Sequence, residues 1–254
     1  MTLLKVKDMT LRFGGLTALN SVNFDVNEGE IFSIIGPNGA GKTTIFNCLS
    51  RFYNLDSGAF YLRDQDISKI NPSAVADKGI ARTFQNIELF KNMSVLDNIL
   101  LGRHRKRRAN LLKEIFYTRA VKEQEMRSHL RAEEIIDFLE LQQYRDQVIA
   151  NLPYGAQKTV EIGRALAMEP EILLLDEPSS NLDREGEMEL METLNELAEN
   201  HTIMVISHAP GVLSQCRQVL VMQKGRIVRS GRPLDVLPHL LGTHTAPPIY
   251  QRQA

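Results

Sequence analysis

A short apolar run followed at once by a glycine-rich turn restricts the possible folds of this chain more than any other feature. The run is Ile31 to Ile35, and the eight residues after it, GPNGAGKT, match the pattern G-x-x-x-x-G-K-[ST] at every position. A helical stretch then begins near Thr43. A strand, this loop and a helix, in that order, predict an α/β fold with a phosphate-binding loop.

The residue types in this loop suit a nucleoside triphosphate with Mg²⁺. Glycines let the backbone turn so that successive N–H groups face the phosphates, and the start of the helix adds the positive end of its dipole. Lys42 can reach the terminal phosphates, and the Thr43 hydroxyl can ligate Mg²⁺. The residues predicted to bind the nucleotide here are Gly36, Pro37, Asn38, Gly39, Ala40, Gly41, Lys42, Thr43 and Thr44.

Two further apolar runs also end in polar residues. Ile172 to Leu175 precedes Asp176 and Glu177, and Thr202 to Ile206 leads to His208. In an open α/β sheet, ligands bind outside the carboxyl ends of the strands, so these side chains are expected at one edge with the loop. We predict that Asp176 holds Mg²⁺, Glu177 takes a proton from the attacking water, and His208 orients that water and the γ-phosphate.

The remaining patterns predict two additions to this core. Segments with antiparallel character indicate a side sheet: Leu3 to Met9, Ser21 to Val26, Ala59 to Leu62, Val219 to Met222 and Arg226 to Val228. Between about residues 94 and 171 strand signals are absent and apolar residues recur at helical spacing, which predicts an inserted helical subdomain. We therefore expect one α/β domain over residues 1–237 with a P-loop NTPase core, an antiparallel β-subdomain and this insertion, followed by a tail over 238–254.

Composition excludes several classes of protein. Thirty Lys and Arg against thirty-one Asp and Glu give a net charge of −1, which disfavours a polyanion-coating protein, and we expect no nucleic acid as partner. The basic run Arg103 to Arg108 is interpreted as a solvated segment. Cys48 and Cys216 are too few for a disulfide framework and are expected to be buried thiols in a reducing compartment. No stretch approaches the about 18 uncharged apolar residues of a transmembrane helix, so at a membrane other subunits must supply the span.

Three further segments make the order of motifs specific. TFQ occupies residues 83–85, LPYGAQ residues 152–157 and SNLD residues 180–183. Over about Leu3 to Leu237, this order resembles an ATPase subunit of an ABC transporter. GTP-binding relatives are disfavoured because no Asn-Lys-x-Asp motif occurs.

The resemblance implies ATP and Mg²⁺ as ligands. It also implies a dimer in which the P-loop of one subunit and the signature segment of the other, LPYGAQ at residues 152–157, enclose each ATP. The second ATPase subunit can be identical or different. The resemblance also implies two transmembrane permease subunits and a periplasmic or extracellular substrate-binding protein. The chain is then expected to lie peripherally on the cytoplasmic face of the inner (plasma) membrane.

Individual roles follow from the same resemblance. Gln85 resembles the loop glutamine that contacts Mg²⁺ and couples to the membrane partner, and Asp183 lies in the loop that links the two active sites. Tyr154 and Gly155 belong to the signature segment. Phe13 lies where the family commonly has an aromatic residue that stacks on adenine. A phenylalanine in the hydrophobic core is the alternative for that position.

The signature segment departs from the family's Leu-Ser-Gly-Gly-Gln. Pro153 replaces the serine, Tyr154 the first glycine and Ala156 the glutamine. Loss of the serine hydroxyl removes one hydrogen bond to the γ-phosphate across the dimer, worth about 1.5–3 kcal/mol for a charged acceptor. Proline remains compatible with a helix start, because its missing N–H would be unpaired there. We expect a working ATPase that is slow without its partners.

The cargo is predicted only from the branch of the family. ARTFQN at residues 81–86, together with Asn98 and FGGLTAL at residues 13–19, resembles ATPase subunits of branched-chain amino-acid importers. Related cassettes serve urea uptake and lipopolysaccharide export, so another cargo, including another amino acid, is one alternative. A soluble ABC-type ATPase acting on ribosomes or nucleic acid is a second. A cassette that binds ATP but hardly hydrolyses it, in a heterodimer, is a third.

Overall fold

The computed structural model describes residues 1–83, 85–104 and 119–237. Its strands are β1 (Thr2–Phe13), β2 (Leu16–Asn27), β3 (Ile31–Ile35), β4 (Ser57–Leu62), β5 (Gln65–Asp66), β6 (Ile80–Arg82), β7 (Ile172–Asp176), β8 (Thr202–Ile206), β9 (Gln218–Gln223) and β10 (Arg226–Gly231). Its α-helices are α1 (Lys42–Leu49), α2 (Val95–Arg103), α3 (Arg119–Phe138), α4 (Tyr154–Leu166), α5 (Arg184–Ala198), α6 (Pro210–Gln215) and α7 (Pro233–Val236). Short 3-10 turns cover Pro72–Ala74, Ala76–Lys78, Gln142–Tyr144 and Ile149–Asn151.

The three apolar runs that end in polar residues are neighbouring parallel strands, as predicted. They belong to a six-stranded sheet of order β10-β9-β3-β8-β7-β6. β3 pairs parallel with β8, and β8 with β7, so all three end at the same edge. Every residue of these strands is buried, which is why they are continuous apolar runs rather than alternating patterns. The mixed α/β fold predicted from the sequence is confirmed.

The antiparallel β-subdomain is also present, but two of its predicted strands lie in the other sheet. A four-stranded sheet has the order β2-β1-β4-β5, with antiparallel pairing throughout. The prediction that Val219–Met222 and Arg226–Val228 join it is wrong: β9 pairs parallel with β3 in the larger sheet, and β10 pairs with β9. The positions Val219–Met222 are all buried, which is typical of an interior parallel strand, whereas the tight turn at Lys224-Gly225 produced the hairpin signal.

An apolar cluster of buried residues draws on both sheets and on α1. It joins Leu4 and Phe60 of the smaller sheet to Phe32 and Leu174 of the larger one, with Phe46 of α1 among them. Packing of this kind holds the start of α1, and therefore the glycine-rich turn, in a defined place. Cys48 and Cys216 are buried as predicted, and burial raises the pKa of each thiol to about 12.

The chain divides into two compact units, one of residues 1–85 and 171 onward, the other Asn86–Pro170. The described part of the second unit is helical and contains α2, α3 and α4. It begins before residue 94 because buried Asn98 binds the preceding segment: it accepts from the Phe90 N–H at 2.9 Å and donates to the Phe90 carbonyl at 3.1 Å.

Some predictions from the sequence concern residues outside the described ranges. Phe84, the basic residues Arg105–Arg108 and the tail over 238–254 are among them. Among the described residues, no helix combines the length and the apolar character needed to cross a lipid bilayer.

Candidate active site

The turn between β3 and α1 has the backbone that a phosphate-binding loop requires. Gly36 has φ of 150° and Gly41 has φ of 103°, both in the region that favours glycine. A Cβ atom on Gly36 would lie 2.2 Å from the Met222 carbonyl oxygen, and one on Gly41 would lie 2.8 Å from that of Ala18. The two glycines are therefore required by close backbone approach as well as by conformation.

Lys42 occupies the first turn of α1 and points back along the loop. Its Nζ donates to the Gly36 carbonyl oxygen at 2.7 Å and to that of Pro37 at 3.3 Å. The side chain is buried, which lowers its pKa, while the charges of Glu177 and Asp176 act to raise it. A partly desolvated ammonium held at the mouth of the loop is well placed to bind a phosphate oxygen.

Solvent exposure varies along the loop. Pro37, Asn38, Gly39 and Thr43 are exposed, whereas Gly36 and Ala40 are buried and Thr44 is half-buried. The buried members tie the loop to the sheet: the Gly225 N–H donates to the Ala40 carbonyl at 3.0 Å. The exposed members, Thr43 among them, leave the outer face of the loop accessible to a ligand.

Asp176 ends β7 and is buried beside a cation. Its Oδ2 accepts from Arg82 Nη2 at 3.0 Å. Burial raises the pKa of Asp176, and the Arg82 charge lowers it. The other carboxylate oxygen, Oδ1, is buried and accepts no hydrogen bond within the described chain.

The residues present suit Mg²⁺. This hard cation prefers oxygen ligands, keeps several waters and commonly uses one carboxylate together with substrate phosphates. The orphaned Oδ1 of Asp176 and the hydroxyl of Thr43, an exposed residue, offer oxygens of that kind. Gln85, also predicted at the metal, is exposed and donates its side-chain amide to Glu177 instead, at 3.2 Å from Nε2 to Oε2.

Glu177 has a strained backbone at the end of β7. Its φ is 48°, in the left-handed region, and its N–H donates to the Ile206 carbonyl at 2.8 Å. Strain of this kind costs about 1–3 kcal/mol and is concentrated at functional sites. The residue is half-buried, and while burial lowers the pKa of Lys42, the Glu177 charge acts to raise it.

His208 follows β8 at the same edge of the sheet. The residue is exposed, but partial burial of the ring lowers its pKa, the Lys42 charge lowers it further and the Glu177 charge raises it. Lys42, Glu177 and His208 therefore interact electrostatically around one site. At pH 7 this imidazole is neutral and can act as an acceptor or as a donor.

Phe13 is at the end of β1 and is 45% exposed, which removes the interpretation of a core phenylalanine. Its ring meets that of Tyr53 edge to face, with 5.1 Å between centroids and an interplanar angle of 77°. This contact fixes the Phe13 ring beside Tyr53 while much of the Phe13 side chain stays exposed. An accessible aromatic ring is what stacking on a base requires.

The signature segment lies in the helical unit, at the start of α4. Pro153 is the N-cap of α4 rather than its first helical residue, and no side chain caps the helix. Tyr154 is exposed and lies under the Lys158 ammonium, 6.0 Å from its ring centroid, and Gly155 is half-buried. Asp183, predicted in the loop between active sites, is the N-cap of α5 and accepts from the Gly186 N–H at 3.0 Å.

Sequence reasoning missed Arg82 and Tyr53 as parts of this site. Arg82 was not predicted because β6 has only three residues, which are too few to give a strand pattern. The available signal in the sequence was a cation three residues before Gln85. Tyr53 is recognised solely through its contact with Phe13.

Comparison with known proteins agrees with this geometry. The ABC transporter family matches residues 19–180. The chain is 37% identical over 237 residues to the high-affinity branched-chain amino acid transport ATP-binding protein LivG of Escherichia coli (strain K12), covering 92% of this chain and 93% of LivG. It is 36% identical to BraF of Pseudomonas aeruginosa, another high-affinity branched-chain amino acid transport ATP-binding protein, with the same coverage.

Solved structures give the same result. A nucleotide-free ATP-binding cassette from an ABC transporter superposes with a TM-score of 0.79 at 32% identity, covering 91% of this chain and 92% of that one. A bacterial ABC transporter cassette solved as a dimer superposes with a TM-score of 0.76 at 26% identity, covering 91% and 99%. The loop, the two strand-end acids and these likenesses agree, and this chain belongs to the ABC transporter family as an ATP-binding cassette.

Proposed function

We propose that this chain is the ATP-hydrolysing subunit of an ABC transporter that imports branched-chain amino acids. The observation that carries the enzymatic part is the convergence of Lys42, Asp176 and Glu177 at one edge of the parallel sheet. The names of LivG and BraF support the cargo.

The chain's own residues divide the work of hydrolysis. Lys42 and the loop N–H groups bind the β- and γ-phosphates, and the exposed ring of Phe13 stacks on adenine. Mg²⁺, held through Thr43 and Asp176, supplies neutralisation of phosphate charge when bound.

Glu177 accepts the proton of a water as the water oxygen bonds to the γ-phosphorus. The bond from that phosphorus to the bridging oxygen breaks, and ADP leaves with the bridging electron pair. His208 hydrogen-bonds the γ-phosphate and keeps it in line with the water. Gln85, which donates to Glu177, orients the carboxylate before the ligand arrives.

The dimer and the membrane partners are part of the same proposal. A second cassette contributes its residues 153–155 to the ATP held by this chain, and the dimeric structure of a similar cassette supports that assembly. Two permease subunits and a substrate-binding protein complete the transporter. The chain then acts peripherally on the cytoplasmic face of the membrane.

Substitution Glu177→Gln tests the hydrolytic role. The amide keeps the shape of the side chain but cannot accept the water's proton, so we expect turnover to fall by about 10²- to 10⁴-fold. ATP binding should remain, and size-exclusion chromatography with ATP should show a dimer that persists. Steady-state phosphate release and equilibrium ATP binding measure the two effects separately.

Glu185→Gln is the matched control. Glu185 is an exposed acid in the first turn of α5. Its replacement by glutamine makes the same chemical change outside the site. It should hydrolyse ATP at the wild-type rate. Undiminished turnover in the Glu177→Gln protein would remove Glu177 as the general base.

A further inference from the structure

Arg82 forms a buried ion pair with the carboxylate that we place at Mg²⁺. β6 runs parallel to β7 with Arg82 opposite Leu174, so the long side chain reaches forward to Asp176 at the end of β7. Nη2 donates to Asp176 Oδ2 at 3.0 Å, and the two side chains are 7% and 2% exposed. At this depth the guanidinium contact is weakly screened by solvent.

The same guanidinium also contacts the helix that follows the phosphate loop. Nη1 donates to Asn47 Oδ1 at 2.6 Å, and the guanidinium carbon lies 5.7 Å from the centroid of the Phe46 ring. Because the guanidinium is planar and rigid, these contacts fix its orientation. Arg82 therefore links α1 to the end of β7 through one rigid group.

This arrangement makes the two oxygens of Asp176 unequal. Oδ2 is held by Arg82, whereas Oδ1 is buried and receives no hydrogen bond from the described residues. A carboxylate held at one oxygen cannot turn freely about its last side-chain bond. Its second oxygen therefore points in one direction relative to α1 and the loop.

We propose that Arg82 is a positioning residue that holds Asp176 Oδ2 so that Oδ1 is the oxygen presented to the Mg²⁺ of bound ATP. The inference rests on the proposed function. A positioning role for Arg82 differs from a purely structural ion pair in its consequence. Loss of Arg82 should weaken the contribution of Mg²⁺ to nucleotide binding, beyond any loss of stability. Groups that orient a metal ligand commonly change metal affinity by about 10- to 100-fold when removed.

The test measures how strongly Mg²⁺ tightens ATP binding. The ratio of the dissociation constant of a non-hydrolysable ATP analogue in EDTA to that in saturating Mg²⁺ is determined by equilibrium binding, so that no turnover intervenes. In Arg82→Met we expect this ratio to fall by about tenfold relative to wild type. Arg82→Lys keeps the charge and one contact to Oδ2, and it should recover more of the ratio than the methionine variant does.

Arg51→Met is the matched control. Arg51 is also a buried arginine of the same unit, and its Nε donates to the Ile70 carbonyl at 3.2 Å rather than to Asp176. The ratio of dissociation constants measured for Arg51→Met should equal that of wild type. If Arg82→Met does not fold, as judged by circular dichroism, Arg82→Gln keeps a polar donor at the position and carries the same expectation.

A double variant separates an effect through Asp176 from any other. Asp176→Asn should lower the ratio, and adding Arg82→Met to it should lower it no further, because the group that Arg82 positions is already lost. A folded Arg82→Met or Arg82→Gln protein with the wild-type ratio would overturn the inference. So would a further loss in the double variant, or a lysine variant no better than methionine.

Failure of the proposed function is recognised separately. A wild-type protein that binds no ATP with or without Mg²⁺ would overturn both proposals. A wild-type protein whose ATP binding is tightened by Mg²⁺, with an unchanged ratio in the folded Arg82 variants, would overturn the role of Arg82 alone.

Discussion

The pKa and the orientation of a side chain in this site depend on neighbours that are distant in sequence. Asp176 would be an ordinary carboxylate in an unfolded chain. Burial raises its pKa, and Arg82, ninety-four positions away, lowers it and holds one oxygen. The Arg82 charge therefore favours the ionised form that Mg²⁺ requires.

His208 should make stability dependent on pH. Its folded-state pKa is below the ordinary 6.5, first through burial and then through Lys42. The unfolded chain therefore binds more protons near that pH. The stability that neutral His208 contributes is fully present above pH 6.5 and is lost as pH falls through the folded-state pKa.

Urea unfolding of wild type and His208→Gln at about pH 7.5 and about pH 5.5 measures this contribution. Wild type should lose more unfolding free energy on acidification than the variant does. All other titrating groups are common to both proteins, so the difference isolates His208. Equal losses in the two proteins would contradict the prediction.

At the scale of elements, the phosphate loop depends on a strand that enters the sheet much later in the chain. Gly36 lies against the Met222 carbonyl of β9, and Ala40 accepts from Gly225 in the turn after β9. The loop is thus shaped by the parallel placement of β9 as well as by its own glycines.

Gly36→Ala should therefore disrupt the loop. Its Cβ would lie 2.2 Å from the Met222 carbonyl oxygen, so the backbone must move, and φ of 150° is strained for alanine. We expect ATP affinity to fall at least about tenfold and unfolding free energy to fall by about 1–3 kcal/mol. Nucleotide titration and urea unfolding measure the two.

Gly29→Ala is the control for conformation alone. Gly29 also has a positive φ, 68°, but no atom lies within 4 Å of an added Cβ. It should lose some stability and keep wild-type ATP affinity. Equal ATP affinity in Gly36→Ala and wild type would show that the close approach to β9 does not shape the nucleotide site.

At the scale of the whole molecule, function depends on partners. No helix among the described residues can cross a membrane, and the signature segment belongs to a unit different from that of the phosphate loop. In the proposal, permease subunits form the passage through the membrane, and the partner chains choose the cargo.

Purification of the tagged protein from gently solubilised membranes tests that dependence. We expect two permeases to co-purify and ATP hydrolysis to rise when leucine and a substrate-binding protein are added. Urea in place of leucine is the matched comparison for the rival cargo. A protein recovered with ribosomes or DNA would contradict the importer proposal.

Much of this architecture was readable from the sequence because it depends on local patterns. The loop needs glycines at fixed spacing and a preceding strand, and the buried strands β3, β7 and β8 need continuous apolar runs. Both requirements act over fewer than about ten residues, so they leave a signature in the chain. The order of motifs then indicated the family.

Contacts between distant segments were decided only by the tertiary structure. The placement of β9 was predicted wrongly because a hairpin pattern does not specify which sheet its first strand joins. The ion pair of Arg82 with Asp176, the contact of Gln85 with Glu177 and the ring packing of Phe13 with Tyr53 leave no periodic trace. The sequence by itself determined the chemistry available at the site, and folding determined which atom of each residue faces the ligand, because orientation depends on packing between segments that are far apart in the chain.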